Sequence, residues 1–202
     1  KVLPHKTFRL HPATVTPYNA DFDGDEVNIH SPQTEEARSE AETLLRISNN
    51  IISSKNNNNL VGCMADAVTG AYILGKNEFD KATADQILFS AGIINKNKNK
   101  KISGADLFSQ VLPDGSKIKT PNKLLSENTF GLENGAMVKS LDKEQGREET
   151  INSIRKAFSI GTHYLSRTGY TLALRDLDVP QKVKETTAEM ITKAEEETQN
   201  II

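Results

Sequence analysis

The side chains best placed to do chemistry are three aspartates at alternate positions, Asp21, Asp23 and Asp25, with Gly24 and Glu26 beside them. On a straight strand such residues share one face. In a tight loop, Gly24 accepts backbone angles that other residues resist, and the chain can curl the carboxylates around one point. Three ionised carboxylates that close repel one another and destabilise the fold unless a cation lies among them. An all-oxygen donor set suits a hard divalent ion, Mg²⁺ or Ca²⁺. The plainer alternative is an acidic surface turn, to which a D-x-D-x-D string alone is equally open. One calcium reading fails on spacing. An EF-hand loop needs glycine at its sixth position and an acid at its twelfth, and counted from Asp21 those places hold Glu26 and Pro32.

The elements around these residues follow from periodicity and punctuation. Thr7-Phe8-Arg9-Leu10 and Ala13-Thr14-Val15-Thr16 carry β-branched and aromatic residues between prolines, and Val27-Asn28-Ile29 alternates, so residues 6–30 read as extended. Ser31-Pro32 reads as an N-cap with proline at the first helical position, opening a helix over 32–47. Residues 48–59, with asparagines at 49–50 and 56–59, read as a polar loop free to move. Helices are expected over 61–74, from Thr83 through Phe89 with Gly92 closing it, and after Ser103 with Leu107, Phe108, Val111 and Leu112 on one face. The lysine–asparagine alternation at 95–101 reads as a solvated loop, Pro113-Asp114-Gly115 as a turn, and 116–140 as strands and loops. Two long amphipathic helices close the sequence, one over 147–168 ended by Gly169, the other opened by Pro180, and their short connection suggests an antiparallel pair. The fold class expected is α+β: an irregular β-rich start, a mixed middle, then the helical pair.

Composition sets the frame. The 202 residues are 36% hydrophobic and 26% charged, a polar but globular balance with room for one or two cores. No apolar run approaches a membrane span, and the opening Lys1-Val2-Leu3-Pro4-His5 has no signal peptide character. With no initiator methionine, the chain reads as cut from something longer, or processed. The single cysteine, Cys63, excludes an internal disulfide framework and suits a reducing compartment; beside Met64 it reads as a small buried hydrophobe. A net charge of −2 is not that of a free-standing nucleic-acid binder, so any phosphate contacts must come mostly from neighbours in an assembly. His5, His11 and His163 show no ligand spacing, His30 reads as structural, Glu26 as a neighbour of the acidic site, and Arg9 as paired with a local acid, with facing nucleic acid as its alternative role.

Asn19-Ala20-Asp21-Phe22-Asp23-Gly24-Asp25 resembles the signature of the largest subunit of multisubunit RNA polymerases. The flanks agree: Val2 through Leu10 and Thr16-Pro17-Tyr18 before it, Glu26 through His30, Pro32-Gln33 and Glu35 through Arg38 after it. Glu26 and Asn28 match the archaeal and eukaryotic version better than the bacterial one. Val61-Gly62, Asp66 and Thr69 through Leu74 are closest to the archaeal form. Weaker agreement runs on through Gly131, Gly135, Gly146, Gly169-Tyr170-Thr171 and Asp176, so the resemblance covers essentially the whole chain. Val27 stands where methionine is common, and the asparagine run at 56–59 replaces a segment richer in glycine and proline.

The resemblance implies templated nucleotidyl transfer: the RNA 3′-hydroxyl attacks the α-phosphate of a ribonucleoside triphosphate. Asp21, Asp23 and Asp25 would hold one Mg²⁺ at that hydroxyl, and a second Mg²⁺ would arrive with the triphosphate. Asn19 is the candidate for a ribose hydroxyl contact, with turn capping as its alternative role. Residues 1–52 would end the active-site domain, 53–140 would form the pore, and 141–202 the funnel helices, where a transcript-cleavage factor docks in the family. The implied partners are the second-largest and other polymerase subunits, template DNA and the transcript. The implied location is cytoplasmic, or nuclear if the source is eukaryotic. The family's upstream basic residues, bridging helix and mobile loop are not among these residues, so the chain alone is expected to be inactive. The competing reading is a non-catalytic module that binds a divalent metal or a partner.

Overall fold

In the computed structural model, which describes residues 4–120 and 125–200, one buried helix–helix crossing organises most of the chain. The chain forms two compact units, one through Thr168 and the other from Gly169 onward. Val2 and Leu3 of the motif's approach, and 121–124 within the expected strands and loops at 116–140, lie outside the described residues.

The opening segment corrects the expectation of strands. Pro12–Thr14 form a 3₁₀ turn and Val15–Tyr18 a single helical turn, α1. No residue from 4 to 34 joins a ladder, and Phe8, Val27 and Ile29 are exposed. Alternating apolar residues make a strand only where a neighbour supplies the ladder bonds. Here Pro12 and Pro17 instead favour tight helical turns that bury Ala13 and Val15. The next helix, α2 (Glu35–Glu40), starts later than Ser31-Pro32 suggests. Thr34 is its N-cap, accepting the Ala37 amide at 3.2 Å, with Glu35 and Glu36 in the first turn. A π turn at Ala41–Leu45 and a 3₁₀ turn at Ile47–Asn49 finish it.

The asparagine-rich stretch is built into the fold. Asn50 Nδ2 donates to the carbonyl of Leu44 at 2.7 Å, satisfying an orphan helix-end acceptor. Ile51 is fully buried, Ile52 bridges Asn59, and Asn59 itself is buried with its Nδ2 donating to Gly135 O at 2.9 Å.

Helix α3 spans Asp66–Gly75, starting several residues after Val61. Val61 and Cys63 are used before it: the Cys63 amide donates to Phe130 O at 2.7 Å, and Ala65 turns the chain through a positive φ of 47°. Strand β1 (Glu78–Asp80) leads into α4 (Lys81–Ser90), and β2 (Lys101–Ser103) into α5 (Gly104–Ser109). The strands pair antiparallel, Phe79 opposite Ile102. The cap of α4 is Asp80, not Thr83, which lies inside the helix. Ser103 caps α5 as expected, accepting the Asp106 amide at 3.1 Å, and Leu107, Phe108 and Val111 are buried. Residues 125–140 correct the expectation of strands there: α6 (Glu127–Phe130) and α7 (Ala136–Gln145) occupy them, the latter burying Met137, Val138 and Leu141.

Helix α8 (Arg147–Thr168) is the long helix the periodicity predicts, ended by Gly169 at φ +73°. Its buried face is Thr150, Ser153, Ile154, Ala157, Ile160, Gly161 and Tyr164. Small residues there let α3 lie almost backbone to backbone on α8: a Cβ on Gly70 would stand 2.6 Å from the carbonyl carbon of Gly161. In the second unit a 3₁₀ turn (Leu174–Leu177) precedes α9 (Gln181–Gln199), opened by Pro180. The apolar stripe of α9 is exposed at Val183, Met190 and Ile191. No helix among the described residues is long and apolar enough to cross a membrane. The α+β class holds, with helices dominant and one small sheet.

Cys63 is buried, as expected, in the main core. Burial pushes its thiol up to about 12 from an ordinary 9.0. The sign follows from linkage: the thiol leaves stability untouched below about pH 9 and lowers it as pH rises further, because only the unfolded thiol then ionises. Iodoacetamide at pH 8 should therefore leave Cys63 unmodified in the native chain and alkylate it after urea is added. Stoichiometric labelling without denaturant, read by mass spectrometry, would contradict the burial.

Candidate metal centre

The aspartate loop follows directly from the short helical turns before it. Asn19 ends α1 in the left-handed region, φ 49° and ψ 45°, where asparagine is among the few tolerated side chains. Its amide donates to Thr16 O at 3.0 Å, and the Ala20 amide to Val15 O at 3.1 Å, so the chain leaves the turn in a fixed direction. Asp21 then closes the loop on itself. Its amide donates to Asp25 Oδ2 at 3.0 Å, and its own Oδ1 accepts the Asp23 amide at 3.2 Å. Gly24 sits at φ +126°, a region costly for any residue with a Cβ, and this is where the chain reverses.

The result is convergence. One carboxylate oxygen from each of Asp21, Asp23 and Asp25 lies within 4.8 Å of the others, and all three residues are exposed. The expected gathering of the three acids is present, and the loop, rather than a strand, achieves it. The closeness of the carboxyl groups shows in Asp23. Its carboxyl is held above the usual range, chiefly by a hydrogen bond with Asp21 that favours the protonated form, then by partial desolvation and by the charge of Asp25. A cation would take the place of that proton, so cation uptake weakens as pH falls and begins to weaken at a higher pH than for an ordinary aspartate.

The donor set fits Mg²⁺. An octahedral ion with bonds of about 2.0–2.1 Å spaces adjacent ligand oxygens by roughly 3 Å and opposite ones by roughly 4 Å, within reach of small side-chain rotations. The exposed approach leaves room for waters or a substrate to complete the shell. Among the described residues no nitrogen or sulfur donor joins the cluster, which argues against zinc. A cleft of about 470 Å³ lies alongside, lined by Lys6, Phe8, Phe22 and Val27 as well as Asp21 and Asp25.

The other singled-out residues separate cleanly. Glu26 and His30 are exposed near the loop. Arg9 forms no ion pair among the described residues, which corrects the expected pairing with a local acid. Lys96 pairs with Asp114 across the loop before β2, and this holds the Asp114 carboxyl below the usual range. His11 has no metal-ligand spacing to the other histidines and makes its contacts away from the acidic loop. Its Nδ1 accepts the Ala13 amide at 3.2 Å, and its ring meets Phe158 of α8 edge to face at 4.5 Å between centroids.

Comparison with known proteins agrees with the motif. The family model described as RNA polymerase Rpb1, domain 2, matches residues 1–47, and that described as RNA polymerase Rpb1, domain 3, matches 50–177. DNA-directed RNA polymerase subunit Rpo1N of Methanococcus vannielii is 31% identical, the alignment covering 100% of this chain and 27% of that protein. Its counterpart in Thermococcus celer is 28% identical over 100% of this chain and 28% of its own length. DNA-directed RNA polymerase III subunit RPC1 of Saccharomyces cerevisiae is 27% identical over 95% of this chain and 16% of its own length. The chain thus spans about a quarter of the archaeal relatives named here. The aspartate signature, both family models and these relatives agree: the chain belongs to the RNA polymerase Rpb1 family of largest subunits and is of the archaeal type.

Proposed function

We propose that this chain is part of the catalytic core of a DNA-directed RNA polymerase, and that Asp21, Asp23 and Asp25 hold the divalent ion at the growing RNA end. The observation that carries this is the convergence of three exposed carboxylates within 4.8 Å in a loop of a largest-subunit relative. A bound Mg²⁺ would supply the positive charge that stabilises an oxygen nucleophile, with a second Mg²⁺ brought by the ribonucleoside triphosphate steadying the leaving pyrophosphate. The chain's own residues position that ion. Asp21 braces the loop through its amide and its Oδ1, and these bonds hold the three carboxylates near one another. Asn19, exposed at the head of the loop, presents an amide that can both donate to and accept from ribose hydroxyls. The Lys6 side chain lines the adjoining cleft, where it favours an anionic ligand.

In this reading residues 53–140 form the pore beneath the site and 141–202 the funnel, with a transcript-cleavage factor as a partner of the funnel. Template DNA, transcript and the second-largest subunit complete the site, and location follows transcription, in the cytoplasm or in a nucleus. A net charge of −2 supports this division of labour, because the phosphate contacts must come from neighbours. The purified 202-residue chain, given template, primer, triphosphates and Mg²⁺, should therefore make no RNA. Synthesis should appear only when the same residues stand within the assembled polymerase. Templated synthesis by the chain alone would overturn the assignment of catalysis to the assembly.

A further inference from the structure

We propose that His11 is a positioning residue that ties the aspartate loop to helix α8. This rests on the reading of the triad as a cation site. His11 makes two different contacts from one ring. Its Nδ1 caps the 3₁₀ turn Pro12–Thr14 by accepting the Ala13 amide at 3.2 Å. Its ring packs edge to face on Phe158, 4.5 Å between centroids, and Phe158 itself packs against the main core. The His11 carbonyl adds a third link, accepting the Thr14 hydroxyl at 2.8 Å and the Thr14 amide at 2.9 Å.

From that anchor the backbone runs through an unbroken series of hydrogen-bonded turns. Ala13 and Val15 are buried, and α1 ends at Asn19, whose left-handed conformation aims the chain into Asp21. By contrast, the residues just after the triad, from Glu26 to Thr34, are all exposed. The loop is thus anchored on its N-terminal side, and His11 supplies the aromatic part of that anchor. When the cap and the ring contact are lost, the turn frays, and the order of the loop must be restored when an ion binds. That cost appears as weaker ion binding, while the α3–α8 crossing, which His11 touches only through the Phe158 ring, keeps its stability.

The test uses the 202-residue chain with Mn²⁺ alone as probe, bound ion being followed by electron paramagnetic resonance. His11→Asn retains an acceptor for the cap but no ring, His11→Phe retains a ring but no acceptor, and His11→Ala loses both. Affinity should fall in the order wild type, then the Asn and Phe variants, then Ala. The Ala variant should bind about three- to tenfold more weakly, on the scale of a lost cap. The thermal midpoint of the core should be the same in all four, and the amides of Asn19 and Ala20 should exchange faster in His11→Ala. Equal Mn²⁺ affinity across the series, or a loss that tracks a lower core midpoint, overturns the positioning role. Asp23→Asn serves as control. If it abolishes binding while the His11 variants bind as wild type, the positioning role alone fails; if it binds as wild type, the triad reading fails and the positioning role with it.

Discussion

Gly161→Val should unfold the core or lower its stability by at least about 3 kcal/mol, beyond the usual range for overpacking. The reason is the closeness of the two helix backbones. A Cβ on Gly161 would stand 2.9 Å from Ala67 Cα, and a Cβ on Gly70 2.6 Å from the Gly161 carbonyl carbon. Neither neighbour is a side chain that can swing away, so α3 and α8 must separate. Separation would loosen Ala67, Leu74, Ala157 and Ile160, all fully buried. Voids around them cost dispersion contacts as well as burial. Single domains hold about 5–15 kcal/mol in total, so a loss of this size brings the variant close to unfolding at room temperature. Urea denaturation followed by circular dichroism measures the shift, and an unchanged midpoint would show that the crossing is not as tight as described.

Asp23→Ala should remove divalent-ion binding while leaving the fold intact. Asp23 is exposed and its carboxyl is already disfavoured as an anion by Asp21 and Asp25. The native state binds the Asp23 proton more tightly than the unfolded chain does, so above the carboxylate range the charged side chain opposes folding. Removing it therefore costs the fold nothing at neutral pH. Binding behaves in the opposite way, because two carboxylates on an exposed loop leave most of the shell to water. Titration calorimetry with Mn²⁺ should show one site in the wild type and none in the variant up to millimolar ion. In the wild type, affinity should fall as pH is lowered toward the carboxylate range. Retained binding in Asp23→Ala would place the ion elsewhere.

Much of this arrangement was legible in the residues, for identifiable reasons. The convergence of the acids follows from local chemistry: alternate aspartates, a glycine where the chain must reverse, and amides within two to four residues to brace them. Helices α5, α8 and α9 announced themselves through Ser103, Gly169 and Pro180 and a sustained apolar period. What escaped depended on distant partners. Strands β1 and β2 are three residues each, and nothing local pairs Phe79 with Ile102. Helix α7 hid between glycines that read as loop signals, although Met137, Val138 and Leu141 carry a helical spacing. Asn59 looked like part of a solvated run, yet it is buried and donates to backbone carbonyls far along the chain. The opening residues had the alternation of strands but not the neighbours that make strands, and two prolines turned part of them into helical turns.

The most direct measurement is nucleotide addition by an assembled polymerase in which Asp21, Asp23 and Asp25 are all replaced by asparagine. These substitutions keep shape and hydrogen-bonding capacity and remove only the charge that would hold the ion. The enzyme should assemble correctly and add no nucleotide in Mg²⁺, a loss of at least about a thousandfold for several kcal/mol of metal catalysis. Synthesis at the wild-type rate by that enzyme would contradict it.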